Sequence, residues 1–202
     1  MWNLPSATEV LIAFGTLITG AAAFWGAATA FTGLDRWKNQ KVWEDSRQLA
    51  RDLALNAREC SDNFHSLRSP FMSAGEMDAA YADKFEKAID HFSEKERSEA
   101  SILALDLRLQ RLNEPLQRLY AKLVEADLLW GTSLEDHHSE MRRIINKVIS
   151  AHELKEMEHD RAARNSYRRT AYGLRDDEIG SQFENLVKAI VSEAAKRLRS
   201  PK

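Results

Sequence analysis

Residues 10–34 read VLIAFGTLITGAAAFWGAATAFTGL, and no charged side chain interrupts them. At about 1.5 Å of rise per residue, a helix of this length spans a hydrocarbon layer of roughly 30 Å. Trp2 precedes the run and Trp37 follows it, where indole rings favour the headgroup level of a bilayer. A cleaved secretory signal is the competing reading, because Ala28-Thr29-Ala30 has the small-x-small form of a cleavage site. Signal peptides, however, open with a basic segment and carry an apolar core of about 7–15 residues. Here Met1 to Glu9 holds no Lys or Arg, and the run is far longer. Residues 1–36 are therefore expected to be a transmembrane anchor in a lipid bilayer.

Charge sets the expected orientation. No basic side chain precedes the run, whereas Arg36, Lys38, Lys41, Arg47 and Arg51 follow it. The positive-inside rule then places the N-terminus outside and residues 37–202 in the cytoplasm. The single cysteine, Cys60, cannot form an intramolecular disulfide, which agrees with a reducing compartment. Within the anchor, Ala22, Gly26 and Ala30 recur every four positions, as do Gly15, Thr19, Ala23 and Ala27. Small residues at that spacing let two membrane helices approach closely, so Ala22, Gly26 and Ala30 are the expected packing face of a homo-oligomer.

The rest of the chain reads as helix throughout. Leu49, Leu53, Cys60 and Leu67 follow steps of three and four with Val42, Ser46 and Asn56, while Trp43, Ala50, Ala57 and Phe64 lie seven apart beside them. This is the wide stripe of a core-facing or coiled-coil helix, ended by Pro70 and the loop SPFMSAGE. Tyr81, Phe85, Ile89 and Phe92 share a face; Ser93 with Glu96 suggests a cap; Ile102, Leu105, Leu109 and Leu112 carry the stripe to Asn113. Pro115 suits the first turn of a new helix reaching Trp130 through Leu116, Leu119, Leu123 and Leu128, with Gly131 as its stop. Thr132 with Glu135 predicts a capping box before Met141, Ile145, Val148 and Met157. A last helix is expected over 177–199, with Ile179, Phe183, Leu186, Ile190 and Ala194 as its apolar face. The fold class is all-α: a single transmembrane helix followed by an antiparallel bundle of about five helices over residues 37–202.

Chemistry is less legible. Lys and Arg (29) nearly balance Asp and Glu (31), so the overall footprint of a nucleic-acid binder is absent. No Gly-rich phosphate loop or nucleophile-elbow serine occurs. Two Glu-x-x-His pairs, Glu135 with His138 and Glu156 with His159, have the form used in di-iron bundles. On one continuous helix their metals would lie about 30 Å apart, so no metal or cofactor is expected to bind there. His138, Ile145, His152 and His159 share a heptad line, too widely spaced for one ion within a helix. Between 161 and 175 the periodicity fails: RAARNSYRRTAYGLR reads as a loop in which Arg161, Arg164, Arg168, Arg169 and Arg175 are candidate contacts for phosphate, nucleic acid or anionic headgroups. A solvated loop paired with Asp176, Asp177 and Glu178 is the plainer account.

The order of an anchor, then RQLARDLALNARECSDNFHSLRSPF (47–71), a helical middle, and DDEIGSQFENLVKAIVSEAAKRL (176–198) resembles a family of uncharacterised bacterial proteins with one N-terminal membrane helix. The resemblance implies a bacterial origin, and with the apolar span the expected location is a bacterial inner membrane. The expected role is non-enzymatic: an anchored interaction or scaffold protein that self-associates or recruits a partner. The alternatives are an oligomerising effector that perturbs the bilayer and a metal-dependent enzyme.

Overall fold

Helix α1 (Ala7–Arg68) starts ahead of the apolar run and continues past it. The computed structural model describes residues 7–85, 93–157, 159–173 and 177–199. Five further helices follow among them: α2 (Ala74–Phe85), α3 (Glu94–Trp130), α4 (Glu135–Met157), α5 (Arg161–Ala171) and α6 (Glu178–Arg199). With no strand among the described residues, the chain is all-α. Ile89, Phe92, Arg175 and Asp176 lie outside the described residues, as does the side chain of Glu156. The chain divides into two compact units, Met1–Ser46 and Arg47–Lys202; the boundary expected after residue 36 falls earlier in the same helix.

In the first unit, apolar side chains face outward on every side of α1. Leu11, Phe14, Leu17, Ile18, Phe24, Trp25 and Phe31 are all exposed, and the helix is apolar and long enough to cross a membrane. Four of its threonine hydroxyls are internally satisfied. The hydroxyls of Thr16, Thr19, Thr29 and Thr32 donate to the carbonyls of Ile12, Gly15, Trp25 and Ala28, four residues back. A hydroxyl without water needs such a partner.

The second unit holds the core. Leu49, Leu53, Cys60, Phe64 and Leu67 of α1 pack with Leu112, Leu119 and Leu123 of α3, Met141 and Val148 of α4, and Phe183 and Ile190 of α6. Phe64 and Phe183 stack with centroids 3.9 Å apart. Contacts descend α1 as they climb α3: Arg108 meets Ser66, while Arg118 meets Glu59. Cys60 is a core residue, and burial pushes its thiol up to about 12. The Ser93–Glu96 box caps α3 as expected, and Gly131, at φ 66°, ends it in the left-handed conformation that glycine tolerates best.

Several expectations need correction. Pro115 lies inside α3, not at the start of a helix. Its missing N–H and ring cost about 3 kcal/mol in a helix interior, which burial of Leu112, Leu116 and Leu119 around it offsets. Ile102 (64% exposed), Leu128 (82%) and Met157 (73%) face outward, and Val42 is exposed as well. In α3 the buried line is instead Ala100, Ala104, Arg108 and Leu112, with Ala126 further on. Small alanines allow close helix approach in that first half of α3, while from Leu112 onward the expected Leu116, Leu119 and Leu123 are buried. The start of α4 is capped from α3: Asp127 accepts from the Leu134 and Glu135 N–H groups at 2.7 and 2.9 Å and from the Thr132 hydroxyl. That replaces the expected Thr132–Glu135 box. Finally, 161–171 is helix rather than loop. Asp160 caps it through the Ala163 N–H at 2.9 Å, and its arginines are spaced so that Ala163, Tyr167, Thr170 and Ala171 face inward.

Candidate functional site

Two buried guanidinium groups organise the far end of α1. Arg68, its last residue, has no exposed surface. Its Nη1 and Nη2 donate to the two carboxylate oxygens of Asp177, each at 2.7 Å. Nε and Nη2 also reach the Thr170 and Arg169 carbonyls at 3.3 Å, the last turn of α5. Asp177 in turn accepts from the Gly180 N–H at 2.7 Å, capping α6. Burial opposes ionisation of Asp177, but the Arg68 guanidinium and the Gly180 N–H outweigh it and hold the carboxyl below its ordinary range. The Arg68 carbonyl accepts from the Gly173 N–H at 3.2 Å. One arginine thus joins the ends of α1 and α5 to the start of α6.

Arg108 of α3, 4% exposed, does the same for the turn after α1. Its Nε and Nη2 grip Glu76 of α2 at 2.6 and 2.7 Å. Nη1 donates to the Ser66 and Ser69 carbonyls, and Nη2 to the Phe71 carbonyl, at 2.7–2.9 Å. Every N–H of the fork has an acceptor. The hydrogen bonds from Arg108 hold the Glu76 carboxyl below its ordinary range.

Against this clamped corner lies an open groove of about 610 Å³, lined by Pro70, Asn165, Arg168, Arg169 and Tyr172. Of the five arginines singled out in the sequence, Arg168 and Arg169 line it. Arg161 and Arg164 are exposed elsewhere on α5, and Arg175 lies outside the described residues. Among the described residues, neither Arg168 nor Arg169 has an acidic side chain as partner. Tyr172 lies in the same arginine-rich stretch, but nothing in the spacing joined Pro70 or Asn165 to it or marked Arg68, because the groove is assembled from the α1–α2 turn and α5. Arg108 did carry a signal: a charged residue four after Ala104 and four before Leu112, on the buried line of α3.

A second depression, of about 560 Å³, runs between α1 and α6 and includes Arg58, Ser61, Asp62, Glu184 and Lys188. Ser61 donates to Glu184 Oε1, and His65 Nε2 meets the same oxygen at 2.9 Å. Both side chains converge on one carboxylate oxygen, an arrangement that stitches two helices and aims the serine proton at Glu184. A nucleophilic serine would instead direct it to the imidazole. His138 is buried against Tyr120, centroids 4.5 Å apart, and burial pushes its imidazole pKa down. His152 packs edge-on to Tyr172 at 4.8 Å, and His159 is exposed beyond the end of α4. Among the described residues no group of three His, Cys, Asp or Glu side chains is placed to hold a metal ion.

These features define an all-helical protein with one long, exposed apolar helix and a helical body fastened by buried arginines. Comparison with protein-family models, curated proteins and solved structures finds no match.

Proposed function

We propose that the chain is a single-pass protein of a bacterial inner membrane, with its N-terminus outside and an antiparallel helical bundle in the cytoplasm that serves self-association and partner recruitment, not catalysis. The observation that carries this reading is the outward apolar surface of α1, from Leu11 to Phe31. An exposed patch of this extent is not stable in water, and a bilayer is the solvent that suits it. The internally bonded threonine hydroxyls support the same reading. A C-terminal fusion to a reporter active only outside the cytoplasm should stay silent, while a cytoplasmic reporter should be active. The reverse pattern would overturn the orientation.

Self-association is supported by the glycines of the anchor. A Cβ added at Gly15, Gly20, Gly26 or Gly33 meets nothing within 4 Å, so packing inside the protomer gives no reason for a residue that weakens a helix by about 1 kcal/mol. Close approach of a second helix does. Single cysteines at Ala22, Gly26 and Ala30 should cross-link in native vesicles, and Gly26→Ile should suppress cross-linking at the other two. Failure at all three positions of the face would leave a monomeric anchor.

A further inference from the structure

We propose that the groove between the α1–α2 turn and α5 is a binding site for the phosphate groups of a soluble phosphate ester, with Arg168 and Arg169 as its principal cationic contacts. Both arginines line the groove and are exposed, and neither has an acidic partner among the described residues. An exposed guanidinium pair of this kind presents planar forks suited to bidentate contact with phosphate oxygens. Asn165 adds a side-chain amide, while Pro70 and Tyr172 form the less polar wall. A volume of about 610 Å³ suits a small-molecule ligand.

The scaffold keeps this corner positive. The C-terminal end of a helix carries partial negative charge on its free carbonyls, which would repel an anion at the end of α5. Arg68 covers two of them, donating to the carbonyls of Arg169 and Thr170. Its own charge is matched by Asp177, so among the described residues Arg168 and Arg169 are the groove's cations without an acidic partner. The backbone that presents them is pinned by Arg68 and by the Gly173 N–H bond to the Arg68 carbonyl. A groove of this size suits a small soluble phosphate ester, and the vesicle arm of the test separates that source from a lipid headgroup.

The test uses the full chain in nanodiscs of phosphatidylcholine, titrated with ATP and with pyrophosphate in the presence of a chelator, with binding read by calorimetry. Saturable binding that weakens as salt rises is expected. Arg168→Gln with Arg169→Gln should weaken it at least about tenfold, since hydrogen bonds to charged groups are lost. Arg161→Gln with Arg164→Gln, on the same helix but outside the groove, should leave it within about twofold, with helicity by circular dichroism unchanged in both variants. The proposal is overturned if neither probe binds, or if the Arg168/Arg169 variant binds as well as the parent. It is also overturned if only vesicles containing phosphatidylserine compete, which would assign the groove to lipid.

Discussion

Replacing Arg108 with Met should destabilise the Arg47–Lys202 unit by about 3–5 kcal/mol, because it breaks a buried ion pair from one side. The side chain is 4% exposed and supplies five hydrogen bonds. Removing it takes both guanidinium contacts from Glu76 and leaves the Ser66 and Phe71 carbonyls only the Ser69 N–H at 3.2 Å and the Ser69 hydroxyl at 3.4 Å. The methionine stem retains the packing, so the loss reports the guanidinium. In thermal unfolding followed by circular dichroism, this corresponds to a fall of about 10 °C for a unit of this size. Glu76→Gln should cost less, since a neutral amide still accepts from Arg108. If Arg108→Met melts within a degree or two of the parent, the corner is not held as described.

Gly173→Ala should be nearly as damaging, at about 2–3 kcal/mol, although it adds a single methyl group. A Cβ at this position would fall on the Asp177 carboxylate and the Arg68 guanidinium. Either their bidentate pair opens or the backbone between α5 and α6 moves. The requirement is close approach, not a left-handed backbone: Gly131 is the positive-φ glycine among the described residues. Acid titration provides a second readout. Asp177 is held below its ordinary range in the folded state, so its ionised form adds stability above the unfolded aspartate value near 3.9. That increment disappears as pH falls through the folded value. Glu76 behaves in the same direction. Asp177→Asn should therefore lower stability at neutral pH and flatten part of the acid limb, and an unchanged acid limb would show that the pair contributes nothing. Arg68→Met should reproduce the neutral-pH loss.

The helical class was legible because apolar spacing is a local property. Leu49, Leu53, Phe64, Phe183 and Ile190 lie on stripes set by the helical repeat, and the structure buries all of them. The uncharged run at 10–34 and the stop at Gly131 were legible for the same reason: each depends on a few consecutive residues. Local rules failed where a distant residue supplied the decisive partner. Pro115 looked like a helix start, but the core contacts of its neighbours carry α3 through it. Thr132 looked like a cap, but Asp127 already fills that role from the preceding helix. The segment 161–171 looked irregular because most of its inward positions are Ala, Thr and Tyr, and it is helical because α4 gives that short face a surface to pack on.

The sequence by itself determined where apolar surface must leave water, since transfer free energy depends on side-chain chemistry and periodicity alone. It therefore settled the helical class, most of the core and the apolar segment of α1. Only the tertiary structure decided which charges are buried and which stay open. Arg68 reads like any surface arginine, and Arg108 is marked only by its place four residues from Ala104 and from Leu112, until Asp177, Glu76 and five backbone carbonyls are brought around them. Arg168 and Arg169 remain accessible because α5 turns them away from that network. A hydrogen-bonded guanidinium needs partners from several directions at fixed distance, and one-dimensional spacing does not specify that geometry.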